Sequence, residues 1–154
     1  MNLFNYKLLP LAIFIFMLIS CRDDDDNLCT DEVIETTSLE SEYNCITTKF
    51  EMDIDLSNDF VIITNQADFD SLVTGECQPD IDFSTYDLVI GKKQFTTGND
   101  SIDYVFIEDC ETNTYTLEVT FNQNSTFIAP NLTYHRLIPK LPQPADIKVD
   151  LTEN

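Results

Sequence analysis

The sequence predicts an α+β, mostly β domain: one twisted antiparallel sheet of about six strands with a single short helix packed on it. Two observations carry this prediction. Several segments alternate apolar and polar residues with a period of two, whereas one segment alone, after Asn65, places apolar residues at helical spacing. In addition, the 154 residues include three glycines, which argues against glycine-rich phosphate-binding loops.

The first part of the chain reads as a secretion signal rather than a structural element. Lys7 is its single charge, and the apolar run that follows ends at Ser20. The uninterrupted apolar stretch Leu11–Ile19 is about half of the roughly 20 residues that a membrane-spanning helix requires. We therefore expect residues 1–20 to be a lipoprotein signal peptide, with ordinary secretion as the alternative.

The next residues predict a lipid anchor and a tether. The sequence Leu18-Ile19-Ser20-Cys21 resembles the lipobox of bacterial lipoproteins, in which the cysteine thiol receives a diacylglycerol and the peptide is cut before it. Consecutive acids in Arg22–Asn27 repel one another, so residues 21–28 are expected to form a lipidated, solvated tether. This run also resembles the signal that sends some diderm-bacterial lipoproteins to the cell surface. The expected location is the outer membrane, lipid-anchored at the surface, and a periplasm-facing position is the alternative.

Residues 29–154 are expected to form a single extracytoplasmic domain. All 28 acidic residues follow residue 20, and they face seven basic residues once Lys7 is removed, so the formal charge there is 7 − 28 = −21. Nucleic acids and anionic lipids bind through Lys and Arg patches, and this balance argues against both as partners. It favours solubility, cations or a basic protein surface.

Four cysteines remain after Cys21, and an even count in an exported chain predicts two disulfides. Three pairings are open, and we favour Cys29–Cys45 with Cys77–Cys110. A zinc site is the alternative, but the sequence has no C-x-x-C pair and a single histidine. We therefore predict no metal site and no cofactor.

The first half of the domain is predicted to hold two strands and the helix. The segment Cys45–Leu56 alternates with a polar face, and Phe60–Thr64 follows it as a second strand. Asn65 can cap a helix whose third position holds Asp68, and Gly75 is expected to end that helix. The helix directs three apolar side chains to one side: Phe69, Leu72 and Val73.

The second half is predicted to be strands alone. A turn at Gly98–Asp100 separates the first two of them, and prolines after Ile138 end regular pairing. The predicted strands are Tyr86–Phe95, Ile102–Glu108, Tyr115–Phe121, Leu132–Ile138 and a last edge strand Ile147–Leu151.

Three segments, Phe60–Leu72, Ile81–Gly91 and Leu132–Lys140, together resemble the C-terminal domain of the protease-complex lipoprotein subunit family (PrcB-like). The glycine-rich middle common in such domains is not evident here. The resemblance implies a non-catalytic, envelope-attached β-rich module that associates with another protein, in the named case a surface protease complex. It brings no catalytic residue to any position of this chain.

Two further patterns, a lone histidine and an acidic segment, could supply a chemical site. His135 is the only histidine, and a lone strand histidine is more often structural or solvent-facing than catalytic. Asp53–Asp59 superficially resembles a calcium loop, but the turn position holds Asn58 and the bidentate position holds Thr64. We predict no catalytic residue, and an irregular calcium site at this strand end stays an alternative.

Two surface features complete the sequence-based predictions. Asp70-Ser71-Leu72 and Asp100-Ser101-Ile102 resemble the O-glycosylation acceptor of some diderm bacteria, and Ser101 is the more accessible candidate. Phe127–Pro130 is an apolar patch in a predicted loop, which suits either a partner contact or a core plug. We expect a non-catalytic binding or assembly module for another envelope protein. The alternatives are a carbohydrate- or calcium-binding module and a hydrolase built from scattered Asp, Ser and His135.

Overall fold

The computed structural model describes residues 29–56 and 60–154. The predicted signal peptide, Cys21 and the acidic tether 21–28 lie outside the described residues. The described chain is mostly β, as the fold class predicted, and it contains three short helices. Its elements are β1 Glu32–Ile34, α1 Leu39–Tyr43, α2 Thr48–Glu51, β2 Met52–Ile54, β3 Phe60–Ile63, α3 Gln66–Leu72, β4 Val73–Gly75, β5 Tyr86–Gln94, β6 Gly98–Asp109, β7 Thr114–Asn124, β8 Asn131–Pro139 and β9 Asp146–Glu153.

A three-stranded antiparallel sheet, in the order β3-β5-β8, lies at the centre of the molecule. Leu88, Val89 and Ile90 of β5 are all fully buried. Successive side chains of a strand point to opposite faces, so an unbroken buried run means that both faces of this sheet are covered. Leu88 and Ile90 belong to one core and Val89 to another.

A second sheet, in the order β1-β6-β7-β9, covers one face of the central sheet. The core between the two sheets is rich in aromatic rings: the Phe121 ring centroid lies 4.7 Å from that of Phe95 and 5.9 Å from that of Tyr134. Phe121 and Leu117 of β7 are fully buried in it. We call this the inter-sheet core.

The other face of the central sheet is covered by short elements. They are α1, α3 and the two-stranded ribbon β2-β4, and they contribute Leu39, Phe69 and Ile54 to a second, separate core. Gly75 ends β4 at a φ of 122°, where an added Cβ would lie 2.0 Å from the Glu51 carbonyl oxygen. We call this the helix-side core.

The prediction of one all-antiparallel sheet was wrong in two respects. The strands divide among three sheets, and β9 pairs with β7 in parallel, with Tyr115 opposite Ile147. The physical reason is the doubly buried central sheet, whose second face needs a separate layer to cover it. The predicted turn Gly98–Asp100 is also part of β6, which has a bulge there between Asn99 and Ser101.

The predicted strand Cys45–Leu56 was wrong over its first half. Thr47 takes a left-handed φ of 53° and starts α2, so only Met52–Ile54 is extended. The side chains of Ile46 and Phe50 are consequently exposed, although alternation had placed them in the core. The sequence predicted one helix, whereas the described residues form three, since α1 and α2 were not predicted.

The prediction of two disulfides is confirmed, but the favoured pairing was wrong. Cys29 pairs with Cys110 and Cys45 with Cys77, and each pair has a Cα–Cα distance of 5.6 Å. The reason lies in the sheet: Glu32 of β1 is opposite Glu108 of β6, which carries Cys29 to the end of the β6–β7 hairpin.

The start of the capped helix was predicted correctly, but its end was not, since α3 ends at Leu72 and Val73–Gly75 form β4 rather than its last turn. The Asn65 side chain accepts from the backbone N–H of Asp68 at 3.0 Å, and its own amide donates to the Asp68 carboxylate at 2.7 Å. The first of these bonds satisfies a backbone donor that the first turn of a helix leaves open. In the part of the chain that the structure describes, none of the helices has the length and apolar character needed to cross a bilayer.

Candidate functional site

A cavity of about 290 Å³ lies between the first half of β6 and the middle of β8, beneath the starts of α1 and α2. Its wall combines one carboxylate, one imidazole, two permanent cations and several hydroxyl groups. Six residues supply these groups: Glu40, Thr48, Lys49, Tyr104, His135 and Arg136.

His135 is 4 % exposed, so the single histidine of the chain is a buried residue of the cavity wall. Its Nε2 accepts from the backbone N–H of Leu39 at 3.3 Å and lies 3.3 Å from a carboxylate oxygen of Glu40. A neutral ring that accepts from Leu39 carries its proton on Nδ1, whereas a neutral ring that donates from Nε2 to Glu40 leaves Nδ1 as an acceptor. Nδ1 itself has no hydrogen-bond partner among the described residues.

Glu40 is held as a carboxylate by its neighbours. Burial would raise its pKa, but hydrogen bonds from His135 and Thr48, together with the charge of the imidazole, hold that pKa well below the ordinary value of 4.5. The Thr48 hydroxyl donates to one carboxylate oxygen while His135 approaches the other. Glu40 therefore stays ionised across the physiological pH range.

Tyr104 and Arg136 form the opposite wall. The guanidinium carbon of Arg136 lies 4.2 Å from the centroid of the Tyr104 ring, which is a cation–π contact. The Tyr104 hydroxyl accepts from the backbone N–H of His135 at 3.3 Å, and burial raises the pKa of that phenol strongly. The Nε of Arg136 is buried and, within the described chain, has no hydrogen-bond partner.

Lys49 supplies the second permanent cation. Its Nζ donates to the carbonyl oxygens of Asn99 and Asp100 at 3.3 and 3.0 Å, next to the β6 bulge. Three other lysines bind carboxylates instead: Lys92 binds Asp53, Lys93 binds Glu153 and Lys140 binds Asp87. Across residues 29–56 and 60–154, neither Lys49 nor Arg136 forms an ion pair with a carboxylate.

Of the residues considered from sequence, only His135 lies in this cavity. Asp53 lies in β2, where it binds Lys92. Ser101 is exposed beside the β6 bulge and accepts from the Asn122 amide at 2.8 Å, whereas Ser71 is exposed on α3. No group of three or more His, Cys, Asp or Glu side chains that could hold a metal ion occurs in the described chain.

Sequence reasoning missed most of the site. Glu40 and Lys49 belong to a segment whose helices were not predicted, and their partners are far away in the chain: the bond from Leu39 to His135 spans 96 residues. One local signal was available, since Tyr134-His135-Arg136 places an imidazole and a guanidinium next to each other in a mostly apolar strand. Successive strand residues point to opposite faces, so only a cavity at a strand edge can be lined by both.

Comparison with protein-family models, with curated proteins and with solved structures gives no match to this chain. The three segments on which the PrcB-like prediction rests form β3 with α3, β5 and β8, and the family itself stays a prediction.

Proposed function

We propose that this chain is a lipid-anchored, non-catalytic binding module that associates with another protein of the cell envelope. A single observation carries the proposal. In the loop between β7 and β8, Phe127 is 100 % exposed and Ile128 is 63 % exposed. Large apolar side chains next to each other on a surface indicate a contact site for a partner.

The loop is held in place although its tip is exposed. On one side, Gly98 donates its backbone N–H to the Thr126 carbonyl at 3.0 Å, and Thr126 donates its own to the Asn124 side chain at 3.1 Å. On the other side, Phe95 donates to the Pro130 carbonyl at 2.9 Å. Anchoring both ends lowers the entropy lost on binding, so the two apolar side chains are prepared for contact.

The chemistry of the partner follows from charge. The chain has a formal net charge of −20, so a surface that approaches it gains from basic residues. We infer a partner protein with an apolar pocket for the Phe127 ring and Lys or Arg around that pocket. The polar rim sets orientation and association rate, while the buried ring supplies most of the affinity.

The surroundings of His135 support a binding role over a hydrolytic one. The ring nitrogen Nε2 contacts a backbone N–H, from which it accepts, and a carboxylate, whereas a catalytic histidine needs a hydroxyl or thiol nucleophile within hydrogen-bond reach. Thr48, the hydroxyl bound nearby, donates to Glu40 instead.

The location belongs to the same proposal. We assign Cys21 as the lipidated residue, residues 1–20 as the removed signal and the outer-membrane surface as the destination. Two disulfides support this assignment, because they persist in compartments outside the cytoplasm. Mass spectrometry of the native protein tests it: an unmodified Cys21, or a retained leader, would contradict the anchor.

A photo-crosslinking amino acid placed at residue 127 tests the partner contact in intact envelopes. The matched control carries the same group at Ile46, which is 76 % exposed in the segment that precedes α2. We expect one protein to crosslink at 127 and not at 46, and Phe127→Ala to abolish its co-purification. Equal crosslinking at both positions, or unchanged recovery with Phe127→Ala, would contradict the proposal.

A further inference from the structure

We propose that the cavity beside His135 binds a small hydroxylated carboxylate of about the size of one sugar-acid ring. This inference is independent of the Phe127 loop and of the lipid anchor. It rests on three observations: two buried nitrogens have no described hydrogen-bond partner, two cations have no described carboxylate partner, and the cavity has the size of one ring.

The first observation is a pair of buried side-chain nitrogens without partners. In the part of the chain that the structure describes, these are Nδ1 of His135 and Nε of Arg136. Both side chains line the same cavity. Arginine is always protonated, so its Nε is a donor, and a buried donor without a partner costs about 1–3 kcal/mol. The wall of this cavity therefore carries positive potential that no described residue uses.

The second observation is charge. The chain has 28 acidic residues and 8 lysines and arginines, so carboxylates are abundant, yet Lys49 and Arg136 have none as a partner in the described residues. Lys49 binds carbonyl oxygens that neutralise no charge. Two permanent cations on one cavity wall form a local site for an anion in an otherwise acidic molecule.

Glu40 adds a second requirement to the ligand. A carboxylate in the wall repels an anionic group brought near it but accepts hydrogen bonds from hydroxyl groups, for which it has free lone pairs. The anionic end of the ligand therefore lies towards Arg136 and Lys49, and its hydroxyl groups lie towards Glu40. Planar guanidinium groups suit carboxylates in particular, because two parallel N–H donors match two oxygens.

The dimensions of the cavity limit the ligand further. About 290 Å³ lies just below the roughly 300–1,000 Å³ that small-molecule sites usually occupy, so the space suits a single ring. The Tyr104 ring and the Ile102 side chain give the wall an apolar patch against which a sugar ring can lie.

The single histidine makes the test direct. With ¹⁵N-labelled histidine in the full chain in detergent, the imidazole signals of His135 are the only ones present. We expect glucuronate to shift these signals in a saturable manner and glucose, its uncharged counterpart, to leave them unchanged. An α-amino acid serves as a third probe, since it carries a carboxylate without the sugar hydroxyls, and we expect it to bind more weakly than glucuronate.

Variants locate the site. Arg136→Gln and Lys49→Gln each remove one cation of the wall, and each should weaken glucuronate binding roughly tenfold to a hundredfold. Lys148→Gln removes the same charge from the exposed edge strand β9 and should leave binding unchanged. Should a cavity variant fail to fold, the contrast between glucuronate and glucose on the unaltered protein still decides.

Three results would overturn the proposal. The first is no shift with glucuronate at concentrations of tens of millimolar, a range in which even very weak specific sites fill. The second is equal binding of glucose, which would remove the role of the cations. The third is an unchanged affinity in both Arg136→Gln and Lys49→Gln.

Discussion

The inter-sheet core and the helix-side core share the central sheet but are built differently. The inter-sheet core lies between long strands, with Phe95, Phe121 and Tyr134 in aromatic contact. The helix-side core is covered by elements of seven residues or fewer, and the Cys45–Cys77 disulfide crosslinks that cover. Long strands bury enough apolar area to be stable through packing, whereas short elements bury less and gain more from a covalent link.

The largest expected effect is in the inter-sheet core. Phe121→Ala removes a fully buried ring that contacts two others and should lower the free energy of unfolding by roughly 3–5 kcal/mol. Urea unfolding of the purified protein measures it. The control is Phe127→Ala, which changes a fully exposed ring and should stay within about 0.5 kcal/mol of the unaltered protein. Similar losses in the two variants would mean that the inter-sheet core does not dominate stability.

The next effect is in the helix-side core. Replacing Cys45 and Cys77 together by serine opens a loop with a sequence separation of 32 and should cost about 2–4 kcal/mol. Hydrogen exchange should show the loss in α1 and α3, while β6 and β7 stay protected. The matched control replaces Cys29 and Cys110, which should instead release β1. Uniform loss of protection in both variants would contradict two separately stabilised regions.

The smallest effect concerns acid and the cavity wall. Because the pKa of Glu40 is lowered in the folded protein, its contribution to stability is present above the unfolded value of 4.5 and is lost as the pH falls from there through the folded pKa. Glu40→Gln should therefore flatten the fall in stability between about pH 5 and about pH 2, by no more than about 1 kcal/mol since the side chain is partly exposed. Thermal unfolding measured across this range tests the sign. A steeper fall in Glu40→Gln would contradict the assignment.

The same two regions differ in how far the sequence predicts them. The strands β5 to β9 were predicted because their alternation or apolar runs reflect burial directly, as in Tyr115–Phe121. The segment around Ile46 and Phe50 was predicted as a strand because it alternates too. Its helix depends on contacts that are distant in sequence, such as the Thr48 bond to Glu40 and the disulfide to Cys77, and alternation carries no information on these.

The cavity was even harder to predict from sequence, because its residues meet only through contacts that are distant in the chain. His135 drew attention as the only histidine, but its burial and partners follow from the meeting of α1 with β8. Lys49 and Arg136 resemble ordinary surface cations in the sequence. Only the three-dimensional placement shows that neither has a carboxylate partner among the residues that the structure describes, and the ligand proposal depends on this property.

The Cys29–Cys110 bond determines how mechanical load enters the domain. Tension on the chain that precedes Cys29 passes through the disulfide to Cys110 at the end of β6, rather than along the three residues of β1 alone. The β6–β7 hairpin, with eleven paired positions, then bears the force along with β1. When the chain before Cys29 is pulled, the force therefore acts on the long β6–β7 ladder of backbone hydrogen bonds. This ladder resists separation better than a short edge strand would.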